Sequence, residues 1–156
     1  TICLEGDGSI MMNLQELQTV LTNQLPIKIF VINNQGYHSI RQTQNNLFKE
    51  HCKIGIGPES GDLSFPDFSK LSEAFGYTYL EAHSNAQMKK MVDQALKIDG
   101  AVFCEIFVSA EQNFEPKSAT KRLEDGTLVS PPLEDLAPFL PREEIIKNMF
   151  IPVIEE

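Results

Sequence analysis

Two short polar turns, each directly after an apolar run, constrain this chain more than any other feature. Residues 6–8 read Gly-Asp-Gly and follow residues 1–5, which are strand-like; residues 33 and 34 are both Asn and follow a second strand-like run, 27–32. An amphipathic stretch separates the two runs. In a right-handed βαβ unit the strands are parallel, and the loops after them lie at the same sheet edge. The pattern predicts a parallel α/β sheet with polar groups gathered above its strand ends.

The side chains at these two turns suit a hydrated divalent cation. Asp7 offers an anionic oxygen and Asn34 a neutral carbonyl oxygen. Mg²⁺ prefers oxygen ligands, takes few of them from protein, and completes its shell with water and phosphate. Gly8 and Ser9 open the following helix, where free N–H groups and the helix dipole favour a phosphate. The two turns therefore predict a site for magnesium and a phosphate-bearing ligand.

These turns also carry a family resemblance. Gly-Asp-Gly-Ser at 6–9, the interval, and Asn-Asn-Gln-Gly-Tyr at 33–37 resemble the cofactor-anchoring motif of thiamine diphosphate (ThDP) enzymes, nearest to the acetolactate-synthase-like subgroup. The resemblance covers about residues 1–110. It implies an α/β doubly wound parallel sheet, the Rossmann-like ThDP-binding fold. It further implies ThDP and Mg²⁺ as cofactors, and leaves open whether the parent enzyme also holds FAD.

The resemblance assigns roles residue by residue. The implied Mg²⁺ ligands are the side chains of Asp7 and Asn34 and the backbone carbonyl of Gly36, which also suits a turn that needs positive φ. The implied diphosphate contacts come from the Gly-Asp-Gly-Ser segment and from the backbone near Ser39, which gives the following cofactor-binding set: Gly6, Asp7, Gly8, Ser9, Asn34, Gly36 and Ser39. Asn33 is expected to cap the strand end instead. The activating glutamate of such enzymes lies on a separate domain, so we predict no catalytic residue here and no activity of this piece alone.

Composition narrows the class of protein. The chain has 156 residues and a formal net charge of −9, which argues against nucleic acid and anionic membranes as partners. No apolar run reaches the length of a membrane span, and no signal peptide is visible. Cys3, Cys52 and Cys104 have no metal-ligand spacing and fit a reducing cytoplasm. Because the sequence starts within a strand-like run and without Met, we expect it to be a fragment of a longer polypeptide.

The rest of the chain alternates between helix and strand patterns. Helices are expected over 10–23, near 37–50, from Pro66 to Gly76 and from Ser84 or Asn85 onward, with strands over 77–82 and 101–108. The glycines in 53–65 lack the spacing and the strand-to-helix junction of a phosphate loop. Residues 111–156 hold six of the nine prolines and predict an irregular C-terminal extension, with a turn at 123–127 and a short helix from Arg142.

Two departures from related families bear on the reaction. Simple 2-keto acid decarboxylases carry a glutamate six residues after the second asparagine, where this chain has Ile40; acetolactate synthases typically carry tryptophan where it has Thr43. We therefore favour a carboligase that decarboxylates a 2-keto acid and joins the carbanion to a second carbonyl acceptor, in a homodimer or homotetramer. Two alternatives remain: a decarboxylase or lyase of the same superfamily, and a noncatalytic nucleotide-binding module. His38 is expected to be a surface loop histidine.

Overall fold

The computed structural model describes residues 1–48 and 53–152, so Cys52 lies outside the described residues. The chain divides into two compact units, Thr1–Gln112 and a C-terminal unit that begins at Asn113. The first unit is built on a four-stranded, fully parallel sheet whose strands are β1 (Ile2–Gly6), β2 (Lys28–Asn33), β3 (Thr78–Ala82) and β4 (Val102–Phe107). Their spatial order is β1-β2-β4-β3, which places β2 and β4 at the centre.

Among the described residues of this unit, five α-helices connect and flank the strands. They are α1 (Asp7–Ile10), α2 (Glu16–Thr22), α3 (His38–Phe48), α4 (Phe68–Phe75) and α5 (Asn85–Lys97). The chain moves from β1 through β2 to the far edge at β3 and then returns to β4, so its winding direction reverses once. With right-handed crossovers, such a reversal puts helices on both faces of the sheet. The fold is the α/β doubly wound parallel sheet that the sequence predicted.

The core confirms that the sheet is covered on both faces. Alternate residues of β2 and β4 point to opposite sides, as the pleat requires. One cluster joins Ile29, Val31 and Phe103 to residues from α1, α2 and α4, and the other joins Phe30 and Cys104 to α5. Central strands buried on both faces explain why β4 is almost continuously apolar.

Two predicted elements differ in detail. The single helix expected over 10–23 is instead α1, a 3₁₀ turn at Met11–Asn13 and α2, because backbone bonding tightens to i→i+3 at Leu17 and Gln18 while the dihedrals of Leu14 and Gln15 stay helical. Helix α4 begins at Phe68 and not at Pro66. Asp67 is its N-cap, accepting hydrogen bonds from the amides of Ser69 and Lys70.

The described part of the C-terminal unit, residues 113–152, contains a two-stranded hairpin, β5 (Lys121–Arg122) and β6 (Leu128–Val129), and a short helix, α6 (Arg142–Asn148). The turn expected at 123–127 joins β5 to β6, and the Asp125 carboxylate accepts a hydrogen bond from the Thr127 amide at 2.8 Å. Over residues 1–48 and 53–152, no helix has both the length and the apolarity to cross a lipid bilayer.

Candidate functional site

Asp7 is the centre of the site. It is the first residue of α1, directly after β1, and only 1% of its surface is exposed. Its Oδ1 accepts a hydrogen bond from the Gly8 amide and its Oδ2 accepts one from the Gly36 amide, each at 2.8 Å. The second of these bonds spans 29 residues of sequence and joins the loop after β1 to the loop after β2. The two turns of the sequence motif are therefore in direct contact at one sheet edge.

The electrostatics of Asp7 favour a nearby cation. Burial raises the pKa of this carboxyl group, while hydrogen bonds from the amides of Gly36, Gly8 and Gln35 and the charge of Arg41 oppose that rise. A buried carboxylate is costly unless hydrogen bonds or an opposite charge compensate for its lost hydration. The backbone amides supply part of that compensation. A cation bound to the remaining lone pairs would supply more.

The turn after β2 holds an unusual backbone. Gln35 has φ +59°, a left-handed conformation that few residues other than glycine adopt, and Gly36 has φ +145°. The Asn33 side chain stabilises this turn, because its Oδ1 accepts a hydrogen bond from the Gln35 amide at 2.9 Å. Asn33 thus caps the strand end, as expected, while the Gly36 amide of the same turn bonds to Asp7.

Residues 55–57 support this turn from outside. The carbonyl of Ile56 accepts a hydrogen bond from the Tyr37 amide at 2.7 Å. A Cβ placed on Gly36 would lie 2.3 Å from the Ile56 carbonyl oxygen, and a Cβ on Gly57 would lie 2.5 Å from that of Gln35. Both glycines are therefore required by close approach of two backbones. The glycine-rich segment that lacks phosphate-loop spacing acts as a brace for the turn.

Arg41, on α3, fixes the same turn by its guanidinium group. Nη1 donates to the Asn34 carbonyl at 3.3 Å and Nη2 donates to the Gln35 carbonyl at 2.9 Å. Nε lies 3.2 Å from Oε1 of Glu59, an ion-pair contact without the alignment of a directed hydrogen bond. Because guanidinium has no acceptor, the 3.2 Å contact of Nη1 with His38 makes the imidazole Nδ1 the acceptor. His38 is buried at the start of α3, so its expected place in a surface loop is wrong.

The remaining predicted residues surround this centre. Gly8 is buried beneath the ring of Tyr37, whose hydroxyl donates to the Gly8 carbonyl at 3.1 Å; a Cβ on Gly8 would lie 2.4 Å from that ring. Gly6 is half-buried at the end of β1, and Ser9 is half-buried in α1. Ser39 is exposed one residue into α3. The structure thus joins Asp7 directly to Gly8 and Gly36. The diphosphate roles remain predictions for Gly6, Gly8, Ser9 and Ser39 alike.

One further polar group, missed by the sequence analysis, lies behind the turn. Glu105 of β4 is 3% exposed in an otherwise apolar strand. Its Oε1 accepts a hydrogen bond from Asn33 Nδ2 at 2.6 Å and its Oε2 accepts one from the Tyr79 hydroxyl at 2.5 Å. Burial, followed by the hydrogen bond and charge of Glu105, raises the pKa of Tyr79, so this hydroxyl stays protonated and donates.

The donor set fits Mg²⁺ and a diphosphate. The groups of Asp7, Asn34 and Gly36 that the sequence predicts for the cation are all oxygen donors, and one of them is a carboxylate, which suits Mg²⁺ that also binds phosphate and water. Among the described residues, no three His, Cys, Asp or Glu side chains gather as a metal centre. The desolvated Asp7 carboxylate is the group that a cation would stabilise most.

Comparison with known proteins defines the class. Residues 1–106 match the family described as thiamine pyrophosphate enzyme, C-terminal TPP binding domain, thiamine pyrophosphate being another name for ThDP. The chain therefore belongs to the thiamine pyrophosphate enzymes and carries their C-terminal cofactor-binding domain.

Within that class its relatives are named acetolactate synthases. It is 35% identical to the acetolactate synthase large subunit of Pyropia yezoensis over 76% of this chain and 19% of that protein. It is 35% identical to the isozyme 2 large subunit of Escherichia coli (strain K12) over 74% of this chain and 20% of that protein. The chain thus spans about a fifth of the length of these relatives, and its domain is acetolactate-synthase-like.

A solved structure supports the fold. The ThDP-dependent 4-hydroxybenzoylformate decarboxylase of Rhodococcus jostii RHA1 superposes with a TM-score of 0.61 at 22% identity, over 72% of this chain and 20% of that one.

Proposed function

We propose that this chain anchors the diphosphate of ThDP through Mg²⁺, as the cofactor-binding domain of an acetolactate-synthase-like carboligase. The observation that carries the proposal is the hydrogen bond from the Gly36 amide to Asp7 Oδ2. It brings an anionic oxygen and a carbonyl-bearing turn together at the edge where the parallel strands end, which is where open α/β sheets bind ligands.

In this proposal the side chains of Asp7 and Asn34 and the carbonyl of Gly36 hold the metal. Gly8 and Ser9 present amides to the diphosphate at the start of α1, with Gly6 before them, and the backbone near Ser39 does so at the start of α3. When bound, ThDP supplies the carbanion-stabilising chemistry that decarboxylates a 2-keto acid. This chain contributes binding and orientation, and the activating group belongs to another domain of the parent protein.

The choice of a carboligase rests on two positions of α3. Ile40 cannot transfer a proton at the place where simple decarboxylases have a glutamate, which favours capture of the carbanion by a second carbonyl. Thr43 is small, hydroxylated and exposed, which leaves room for an acceptor more polar than a second pyruvate. The alternative is a decarboxylase, the activity in the name of the structural neighbour. A third candidate, a noncatalytic module, would bind without turnover.

One experiment separates these candidates. The full polypeptide that contains this chain is incubated with pyruvate, ThDP and Mg²⁺, with and without candidate aldehyde and ketone acceptors, and products are identified by mass spectrometry. A carbon–carbon coupled product supports the carboligase, and free aldehyde alone supports the decarboxylase. Tight Mg²⁺-dependent ThDP binding in calorimetry without any product supports the noncatalytic module. No ThDP binding at all would refute the anchor itself.

The assembly and the compartment are also proposals. We expect the parent to be a homodimer or homotetramer, with the activating glutamate supplied by a partner subunit, so an active monomer in analytical ultracentrifugation would contradict the proposal. We place it in the cytoplasm, where Cys3 and Cys104, both free thiols in the structure, would stay reduced. One relative, from Zea mays, is named chloroplastic, and cell fractionation distinguishes the two compartments.

A further inference from the structure

Glu105 is a buried carboxylate in the middle of a core strand, where an apolar side chain is the usual occupant. It lies in β4, a central strand whose other residues are all apolar, and its register partners are Val31 on β2 and Glu81 on β3. A buried carboxylate needs hydrogen bonds to offset its lost hydration, whereas an apolar residue would pack there at no such cost. Glu105 is not one of the residues of the proposed cofactor anchor. Its position therefore calls for a separate explanation.

The two hydrogen bonds of Glu105 connect it to different parts of the domain. On one side, Oε2 accepts from the hydroxyl of Tyr79, which is also 3.1 Å from Oε2 of Glu81, on the β3 side of the sheet. On the other side, Oε1 accepts from Nδ2 of Asn33, which begins the turn of the site. Only the second bond leads toward Asp7 and the proposed metal.

The bond to Asn33 determines how that side chain is oriented. A side-chain amide has a donor end and an acceptor end, and a carboxylate accepts only. Glu105 therefore holds Nδ2 of Asn33 toward itself and turns Oδ1 toward the turn, where Oδ1 accepts from the Gln35 amide at 2.9 Å. With the amide reversed, both of these contacts would be lost.

The Gln35 amide matters because its residue is held in the left-handed region, at φ +59°. That conformation, together with φ +145° at the next residue, directs the Gly36 amide to Asp7 Oδ2. A continuous path of hydrogen bonds and one peptide unit thus runs from Glu105 through Asn33 to the carboxylate of the site.

We propose that Glu105 is a positioning residue for the cofactor anchor, acting through the orientation of the Asn33 amide on the turn that carries Asn34 and Gly36. The proposal rests on the proposed function, since the ligand it positions is Mg²⁺ with ThDP. Glu105 touches neither and is not a catalytic residue. Outer-shell partners of metal sites typically affect metal affinity by about 10- to 100-fold.

The test uses the full polypeptide that contains this chain and two measurements: the Kd of Mg²⁺ by calorimetry at saturating ThDP, and urea unfolding of the cofactor-free protein. E105L removes the acceptor and is expected to raise the Kd by about tenfold or more. E105Q retains an acceptor for Asn33 and should stay within about threefold of wild type. Y79F breaks the other bond of Glu105 and is the matched control; it should lower stability while leaving the Kd within the same threefold range.

A polarity swap tests the contact itself. N33D alone places two carboxylates face to face, so the turn loses its fixed amide and Mg²⁺ affinity should fall. N33D combined with E105Q restores a donor opposite an acceptor, keeps the net charge of wild type, and should return the Kd to within about threefold. If E105L fails to fold, this pair alone decides, because every side chain in it remains polar.

Three outcomes would overturn the inference. One is folded E105L with a wild-type Kd. Another is a double variant that binds Mg²⁺ no better than N33D alone. The third is Y79F weakening Mg²⁺ binding as much as E105L does. Wild-type protein that binds no Mg²⁺ with ThDP would refute the proposed function and this inference together, whereas normal wild-type binding with an unchanged E105L refutes this inference alone.

Discussion

Replacing Gly57 by alanine should damage the proposed anchor, although Gly57 itself is not one of the residues assigned to it. Gly57 has φ 162°, which is extended backbone, so alanine can adopt the backbone conformation of this position without strain. Its new Cβ, however, would lie 2.5 Å from the Gln35 carbonyl oxygen, whereas ordinary contact begins at 3.4 Å. The two backbones must therefore separate by about 0.9 Å, the difference between those distances. Overpacking of this kind costs about 1–3 kcal/mol.

The displaced segment is the turn that carries Asn34 and Gly36. Mg²⁺ tolerates little distortion of its octahedral shell, so we expect G57A in the full polypeptide to raise the Kd of Mg²⁺, at saturating ThDP, by about tenfold or more. The matched control is G61A, four residues away. Its Cβ meets nothing within 4 Å, and its φ of +75° imposes only a backbone cost of about 1–2 kcal/mol.

Comparison of these two variants distinguishes a loss of stability from a displacement of the turn that carries Asn34 and Gly36. Both should lower the free energy of unfolding, measured in urea, by overlapping amounts: about 1–3 kcal/mol for G57A and about 1–2 kcal/mol for G61A. Only G57A should change the Mg²⁺ affinity measured by calorimetry. If the two variants show the same Kd within about twofold, or if G57A binds as wild type does, the bracing role of residues 55–57 is refuted.

Three further predictions concern single side chains. Asp7→Ala should weaken Mg²⁺-dependent ThDP binding by more than about 100-fold, which exceeds the usual effect of a residue that does not itself bind the metal. Asn34→Ala should weaken it less, because the Asn34 side chain is neutral. Unchanged binding of Asp7→Ala in calorimetry would refute the metal assignment. Thr43→Trp should shift the product ratio toward acetolactate by about 10- to 200-fold in mass spectrometry, and no shift would refute the pocket argument. The hydrogen bond from the Ser69 side chain, above all, lowers the pKa of Asp67 from 3.8 to about 2. The stabilisation from its charge should therefore be complete above pH 3.8 and disappear toward pH 2, so the urea midpoints of wild type and D67N should converge over that interval; a constant difference would contradict this.

Local patterns were enough for the fold and for one half of the site. Apolar runs followed by polar turns predicted the parallel sheet, and the Gly-Asp-Gly and Asn-Asn turns predicted that Asp7 and the 33–36 turn would meet. These predictions succeeded because the sequence patterns of strands, turns and helices each span only a few neighbouring residues. The single helix expected over 10–23 was wrong in detail, because a switch to i→i+3 bonding leaves no mark in the apolar spacing.

The supporting groups could not be predicted in the same way. Glu105 is one acidic residue in an apolar strand, and its partner Asn33 is 72 residues earlier in the chain. Gly57 lies in a loop-like segment with several glycines, and their spacing does not show which of them permits the close approach of a distant backbone. Arg41 stood in a polar stretch with nothing to indicate that it folds back on Asn34 and Gln35. These roles depend on the tertiary register of the sheet and loops, which local sequence does not encode.

The separation of Asn33 and Glu105 by 72 residues also affects when the support of the turn can form during synthesis. Ribosomes extend chains at about 5–20 residues per second, so β4 is made about 4–14 s after the turn that it supports. During that interval Asn33 has been synthesised, but the carboxylate that orients its amide does not yet exist. The proposed cofactor anchor is therefore completed only by β4, the last of the four strands of its sheet in chain order. If the chain binds ThDP as proposed, a nascent chain interrupted before β4 would lack the carboxylate behind the turn, and cofactor retention would report that the last strand of the sheet had been made.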